Sequence, residues 1–333
     1  MAQRSLIPLT ALAACLVATA TAQARDLAVV VTSKPIHSLT SAVMEGAGNA
    51  KLLVEGSASP HTFALKPSGA AAVYAADVFI RVSGKVEPFS EKIVAALPAT
   101  VELVTLADTP ELTLLDTRTG ETFDAHKHDH DADDHHAHDK HDGKANKGGK
   151  AKAAKSASAG NTDGHVWLDP GNAKLMAGQI AAVLSKKDPE RAGLYAANSA
   201  KLAARIDGMA SEIADQMTPL VGRPFIVFHD AYQYFEKRFG LSAIGSITVS
   251  PDVQPSAKRL SALRRKIGAL DATCVFAEPM YQPQLVAAVT EGTKARAGTL
   301  DPDGSSLEPG PDLYFTLMRS LARNLVGCLK PKV

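Results

Sequence analysis

Leu27-Ala28-Val29-Val30-Val31, then a helical pattern from Ile36 to Glu45, then Lys51-Leu52-Leu53-Val54, is the stretch that decides the fold. A short apolar run that reads as a strand is followed by a helix and a second such run, and the pattern repeats. A helix is expected over Ser68–Ala76, a strand over Asp77–Val82, a helix over Pro88–Leu97 and a strand over Val101–Leu106. This βαβα alternation argues for a parallel sheet covered by helices on both faces.

The same alternation restarts in the second half. Strands are expected at Pro224–Phe228, Ser242–Gly245, Thr273–Ala277 and Arg296–Leu300, with helices at Ala231–Phe239, Ser256–Leu270, Pro283–Gly292 and Asp312–Leu329. Between the halves lie two helical stretches, Asn172–Lys186 and the Ala-rich Pro189–Met217, whose apolar positions recur at 3.6-residue spacing. A helix of about 29 residues spans roughly 43 Å, long enough to run across both halves. The expected class is α/β, with two lobes, each a four-stranded, mainly parallel sheet flanked by helices, joined by one long linking helix. The boundaries follow as an N-terminal lobe over residues 25–188, the linking helix over 189–219 and a C-terminal lobe over 220–333. One continuous sheet is the alternative architecture.

At 333 residues, with 45% hydrophobic and 21% charged side chains, the chain has the composition of a soluble protein able to bury two domains. A formal net charge of +1 argues against capture of nucleic acid or of an anionic membrane surface. The N-terminus reads as an export signal over residues 1–24. Arg4 provides the positive region, Leu6 to Ala20 the apolar stretch, and Ala22-Gln23-Ala24 the small-x-small cleavage site. Leu12-Ala13-Ala14-Cys15 also fits a lipoprotein box, which would lipidate Cys15; the apolar run continues through Val17, which favours cleavage after Ala24. The mature protein is therefore expected to be exported and soluble. Its two cysteines, Cys274 and Cys328, suit a disulfide in an oxidising compartment. The alternative is two unlinked buried cysteines, and a thiolate metal site is disfavoured because neither has a partner at ligand spacing.

Between Asp124 and Asp142 stand His126, His128, His130, His135, His136, His138 and His141, threaded with aspartates. Imidazole is the commonest transition-metal ligand side chain, so this run places transition metals first among candidate ligands. From Lys140 to Gly160 the chain is Lys, Ala, Gly and Ser without hydrophobic periodicity, too poor in apolar groups to order itself. The whole insertion, about residues 124–162, is expected to be disordered and to bind several transition-metal ions weakly. It could feed a main site, buffer or sense excess metal, or be a dispensable insert.

A selective site must come from elsewhere. In open α/β sheets ligands bind outside the carboxyl ends of the strands. His61 lies in the loop leaving Leu52-Val54, His229 follows Phe225-Ile226-Val227-Phe228, Asp301 follows Gly298-Thr299-Leu300, and His165 stands where order resumes after the insertion. Each also has a structural reading, as a hydrogen-bonded residue beside a strand end or, for Asp301, a turn former. Their joint placement at strand ends favours a common metal site. His37, on the first helix, reads as structural, and Glu278, before Pro279, as a secondary alternate.

At these residues the chain resembles the zinc- and manganese-binding periplasmic proteins of ABC transporters, most closely the zinc members. The resemblance rests on Pro60-His61-Thr62-Phe63-Ala64-Leu65-Lys66-Pro67-Ser68, His165-Val166-Trp167-Leu168-Asp169-Pro170, Phe228-His229-Asp230-Ala231-Tyr232 and Leu300-Asp301-Pro302. With the His-rich insertion ahead of the second motif, it covers essentially the whole mature chain. It implies that His61, His165 and His229 coordinate Zn²⁺, with Asp301 or water completing the shell. It also implies a rigid linking helix and a disulfide matching Cys274 and Cys328. Some zinc members place a glutamate before the first histidine, where this chain has Pro60, so that ligand is absent. Manganese relatives carry a carboxylate at the third position, where this chain has His229. Three imidazoles make a borderline, nitrogen-dominated site suited to Zn²⁺.

The expected role is capture of zinc between the lobes and delivery, by a monomeric periplasmic protein, to a membrane permease with a cytoplasmic ATPase. The chain itself has no phosphate-binding Gly-x-x-x-x-Gly-Lys-Ser/Thr loop. The competing classes are a zinc hydrolase, a zinc-buffering or adhesion protein without a transporter, and manganese or iron import. No His-Glu-x-x-His helix and no evident general base support the first.

Overall fold

The computed structural model describes residues 25–118 and 162–330, apart from 249, 252 and 282. The signal segment with Cys15 and the seven histidines of the insertion lie outside the described residues. The N-terminal lobe is built from β1 (Val29–Val31), α1 (Lys34–Val43), β2 (Lys51–Leu52), α2 (Pro67–Tyr74), β3 (Val78–Arg81), α3 (Ser90–Ala95) and β4 (Glu102–Thr105). Then come α4 (Pro170–Lys187) and α5 (Ala192–Met217). The C-terminal lobe is β5 (Phe225–Val227), α6 (Gln233–Phe239), β6 (Ala243–Ser246), α7 (Ala257–Ala269), β7 (Cys274–Ala277), α8 (Gln284–Thr290), β8 (Arg296–Thr299) and α9 (Leu313–Leu329).

Each lobe has its own four-stranded sheet, with orders β2-β1-β3-β4 and β6-β5-β7-β8. All the strand pairs are parallel. Two sheets with equivalent orders settle the choice against a single continuous sheet. The strands are shorter than the apolar runs that announced them, because backbone pairing ends where the chain turns toward the loops at the carboxyl edges. Those loops bring the two lobes face to face, and the helices on the outer faces complete the layers.

The linking element is α5, 26 residues and so roughly 39 Å long. The expected single helix from Pro189 begins instead with a 3-10 turn over Pro189–Arg191, and α5 proper starts after it. Leu202, Ile206, Met209, Ile213 and Met217 form a buried stripe along one face, the spacing that an amphipathic helix needs to press on a core. That stripe belongs to one apolar core continuous through both lobes, together with Ile36 and Leu39 of α1 and Leu317, Leu321 and Leu325 of α9.

Two glycines are needed where they stand. Gly240 ends α6 in the left-handed region at φ 71°, a conformation that costs a residue without a Cβ little. Gly164 lets the chain ahead of His165 pass against the N-terminal lobe, since a Cβ there would come within 2.4 Å of a Val86 methyl. Cys274, opening β7, and Cys328, near the end of α9, form a disulfide with an S–S distance of 2.06 Å. Closing a 54-residue separation removes unfolded-chain entropy and stabilises the C-terminal lobe by about 4 kcal/mol in the chain-entropy view. No described helix is long and apolar enough to cross a membrane.

Candidate metal centre

His61, His165 and His229 come together between the lobes. His61 stands in the loop between β2 and α2, where Pro67 at the first turn of α2 stops the helix from extending back toward it. His165 precedes a 3-10 turn over Val166–Leu168, and Asp169 then caps α4 by accepting from Gly171 N at 2.7 Å. This turn buries Trp167 completely and faces His165 toward the cleft. His229 follows β5 directly, at the carboxyl edge of the second sheet.

The ligand atoms converge. Nε2 of His61 lies 3.1 Å from Nε2 of His165, and Nε2 of His229 lies 3.3 Å from that same atom. All three fall within 4.8 Å of one another. Zn–N bonds of about 2.0–2.1 Å give a tetrahedron with edges of about 3.3–3.4 Å, so the spacing suits a zinc ion with one position left over. Among the described residues this is the group of ligating side chains that could hold a metal ion. It opens into a cavity of about 130 Å³ lined in part by Lys85, Thr117, Thr162 and Ser250.

The sequence profile of the family described as "Zinc-uptake complex component A periplasmic", ZnuA, matches residues 29–328. The chain belongs to that family. The high-affinity zinc uptake system protein ZnuA of Brucella abortus (strain 2308) is 48% identical over 311 residues, spanning 90% of this chain and 91% of the relative. The protein of the same description from Paracoccus denitrificans is 40% identical over 302 residues, again spanning 90% of this chain and 91% of its own. A crystal structure of a ZnuA superposes with a TM-score of 0.72 at 25% identity, covering 92% of this chain and 100% of the other.

In this ZnuA-family chain two of the three imidazoles are oriented by buried carboxylates. Asp163 Oδ1 lies 2.6 Å from His165 Nδ1, and its other oxygen accepts from Gln233 Nε2 at 2.7 Å. Glu278 embraces His229 Nδ1 with both oxygens, at 2.8 and 2.9 Å, and accepts from the Tyr232 hydroxyl at 3.0 Å. A carboxylate on Nδ1 fixes the proton there, leaves the Nε2 lone pair for the metal and raises its basicity. Glu278, a secondary alternate in the sequence, is thus placed behind His229. Asp163 carried no such expectation; its signal was a carboxylate two residues ahead of a motif histidine.

These surroundings set the charge states. Burial pushes His61 well below its ordinary 6.5, and the neighbouring His165 and His229 push it the same way. Burial opposes a charged His229 too, but the adjacent Glu278 carboxylate and its hydrogen bond outweigh burial and leave His229 above 6.5. Burial alone would raise Asp163; the facing His165 and the hydrogen bonds it receives hold it below 3.8 instead.

Asp301 and His37 are not members of the three-histidine group. Asp301 does follow β8, but its carboxylate accepts from Ser305 N at 2.9 Å, Ser305 Oγ at 3.1 Å, Ser306 N at 3.1 Å and Ser306 Oγ at 2.9 Å. It closes its own turn and is not in the three-histidine group. His37 is structural, as its place on α1 suggested: Nε2 bonds the Ala50 carbonyl at 3.1 Å.

Replacing Glu278 with Gln keeps the shape behind His229 and removes the charge. Zinc affinity is expected to fall about 10-fold or more, in the range usual for groups that orient metal ligands. Chelator competition reads the change directly, and circular dichroism confirms that the fold is kept.

Proposed function

We infer that this ZnuA-family protein captures Zn²⁺ in the periplasm and hands it to the membrane permease of an ABC transporter. It is the high-affinity binding component of zinc uptake, not an enzyme. The observation that carries the reading is the convergence of three imidazole Nε2 atoms within 4.8 Å in a family of zinc-uptake components. We propose His61, His165 and His229 as the protein ligands and a water, drawn from the adjoining cavity, in the fourth position. Asp301, whose carboxylate accepts from Ser305 and Ser306 of its own turn, favours that choice over a carboxylate.

Three neutral imidazoles and no carboxylate favour Zn²⁺ over Mn²⁺ by donor chemistry. Capture replaces the hydration shell of the ion with ligands that two buried carboxylates have already turned toward it, so little ordering is left to do at the moment of binding. The long α5 limits hinge motion, and release at the permease requires the ligands to separate.

Titration of the mature protein with zinc against a chelator tests this reading. Removing residues 126–155 is expected to leave one tight site and abolish the weaker binding assigned to the loop histidines. Loss of the tight site with the insertion would overturn the assignment. If the loop feeds the cleft, the same variant loads more slowly at limiting zinc, because a tethered store raises the local concentration.

Acidity should act through His229. Zinc must displace the proton that Glu278 helps His229 to keep, so affinity rises with pH, by up to about one decade per pH unit, until pH passes the raised His229 value. His61, already neutral, adds no proton competition in that range. The metal-free protein follows the opposite sign: a raised histidine stabilises the fold below its unfolded-state value and loses that contribution as pH rises through the folded one. Affinities measured between about pH 5.5 and 8.5 should show the rise and plateau; a flat profile would contradict it.

A further inference from the structure

His165 and His229 are carried by one mechanical unit, although sequence order places them in different halves. The segment that bears His165 is tied to the C-terminal lobe at four points. Gln233 Nε2 donates to Asp163 Oδ2 at 2.7 Å and the Tyr234 hydroxyl to the Asp163 carbonyl at 2.7 Å. Trp167 Nε1 donates to the Pro302 carbonyl at 2.9 Å, and the Tyr314 hydroxyl to the Trp167 carbonyl at 2.8 Å. Nearby, Arg118 grips both Asp230, the neighbour of His229, and Glu236 of α6.

His61 is held differently. Residues 53–66 around it form neither helix nor strand, and its ring is half-buried. The loop meets the C-terminal lobe through Ser59, a buried residue whose Oγ accepts from the His61 backbone N–H at 3.3 Å and from the Tyr281 hydroxyl at 2.9 Å. Tyr281 is itself fixed beside the opposite ligand. Its ring stacks on Phe228, with centroids 4.8 Å apart and planes 3° from parallel, and meets the His229 ring edge-on at 6.4 Å.

We propose that Tyr281 is a positioning residue for the third zinc ligand: its hydroxyl, anchored next to His229, holds Ser59 and through it the His61 backbone. The His61 ring then closes onto a His165–His229 pair that is already assembled. The latch crosses the cleft, so it senses lobe separation directly; drawing the lobes apart withdraws His61 first and leaves two ligands, too few to retain the ion. The proposal rests on the zinc-capture reading, and it adds which ligand leaves first and what holds it.

An unlatched loop samples positions from which His61 does not reach the metal. Apparent affinity then falls in proportion to the latched fraction, and losing a hydrogen bond of ordinary strength makes that a roughly 3- to 10-fold effect. The test measures zinc dissociation into excess chelator from the full mature protein. Tyr281→Phe and Ser59→Ala should each accelerate release by that factor, and the double variant should release no faster than either single one, since both break the same link. Ser59→Thr, which keeps the hydroxyl, should restore slow release. In a His61→Ala background, Tyr281→Phe should change nothing further.

Unchanged release in both single variants overturns the latch, and so does an acceleration that persists when His61 is absent, which would assign the effect to packing around Phe228. Wild-type protein without a tight zinc site would sink the functional reading and the latch with it. Tight wild-type binding with unaffected variants removes the latch alone.

Discussion

Replacing His165 with alanine is expected to lower zinc affinity by about 10²- to 10³-fold, the share of one ligand when a four-ligand zinc site is worth about 10–16 kcal/mol. His165 is the central member of the trio, with its Nε2 3.1 Å from one partner and 3.3 Å from the other. Without it His61 and His229 face each other across the cleft with no ligand between them. The loss also leaves Asp163, a buried carboxylate, without the ring N–H of His165, so part of the effect reflects a buried group that has lost its partner rather than the missing metal bond. Chelator-competition titration checks the affinity. A His165→Ala protein that still holds zinc as tightly as the native chain would show that the three-histidine group is not the capture site.

Replacing His229 with glutamate should change selectivity as well as affinity. Zinc binding is expected to weaken by about 10-fold or more while manganese improves relative to it, because a carboxylate hardens the donor set. Glu278 complicates the substitution in an instructive way. It now donates nothing and accepts from His229 Nδ1 at 2.8 Å; opposite a new carboxylate it would face a like charge, and one of the two acids would keep its proton until a cation binds. The His229→Glu, Glu278→Gln double variant removes that repulsion and should show the manganese preference more cleanly. Competition titrations that return the native zinc-to-manganese preference in both variants would mean that the residue at this position does not set selectivity.

Much of this is legible in the amino-acid sequence. Strands and helices announced themselves because parallel strands buried by helices on both faces need apolar runs, and the crossovers need helical periodicity. His61, His165 and His229 were legible because each stands at, or resumes from, the loop edge where α/β sheets bind ligands. Asp301 stood at an equivalent place and was expected among the ligands. What sequence did not convey is that Ser305 and Ser306 take up its carboxylate, a local turn closure that competes with any role in the cleft.

The residues that finish the centre were the least visible. Glu278 meets His229 across 49 positions of sequence, Gln233 meets Asp163 across 70, and Tyr281 meets Ser59 across 222. Hydrogen-bond partners at such separations leave no periodic trace, since neither residue type nor spacing records which two loops a fold will bring together.

The chain by itself therefore determined its class, two equivalent lobes on a long helix, and pointed to His61, His165 and His229 as a nitrogen-donor set suited to zinc. Local periodicity and donor chemistry are properties of residues and of short spacings, so they survive in one dimension. Only the tertiary structure decided that Asp163 stands behind His165 and Glu278 behind His229, that Asp301 accepts from its own turn, and that the segment bearing His165 is tied to the C-terminal lobe while Tyr281 meets Ser59 across the cleft. Those depend on distances of about 3 Å between segments far apart in the chain, which packing of the two lobes alone sets.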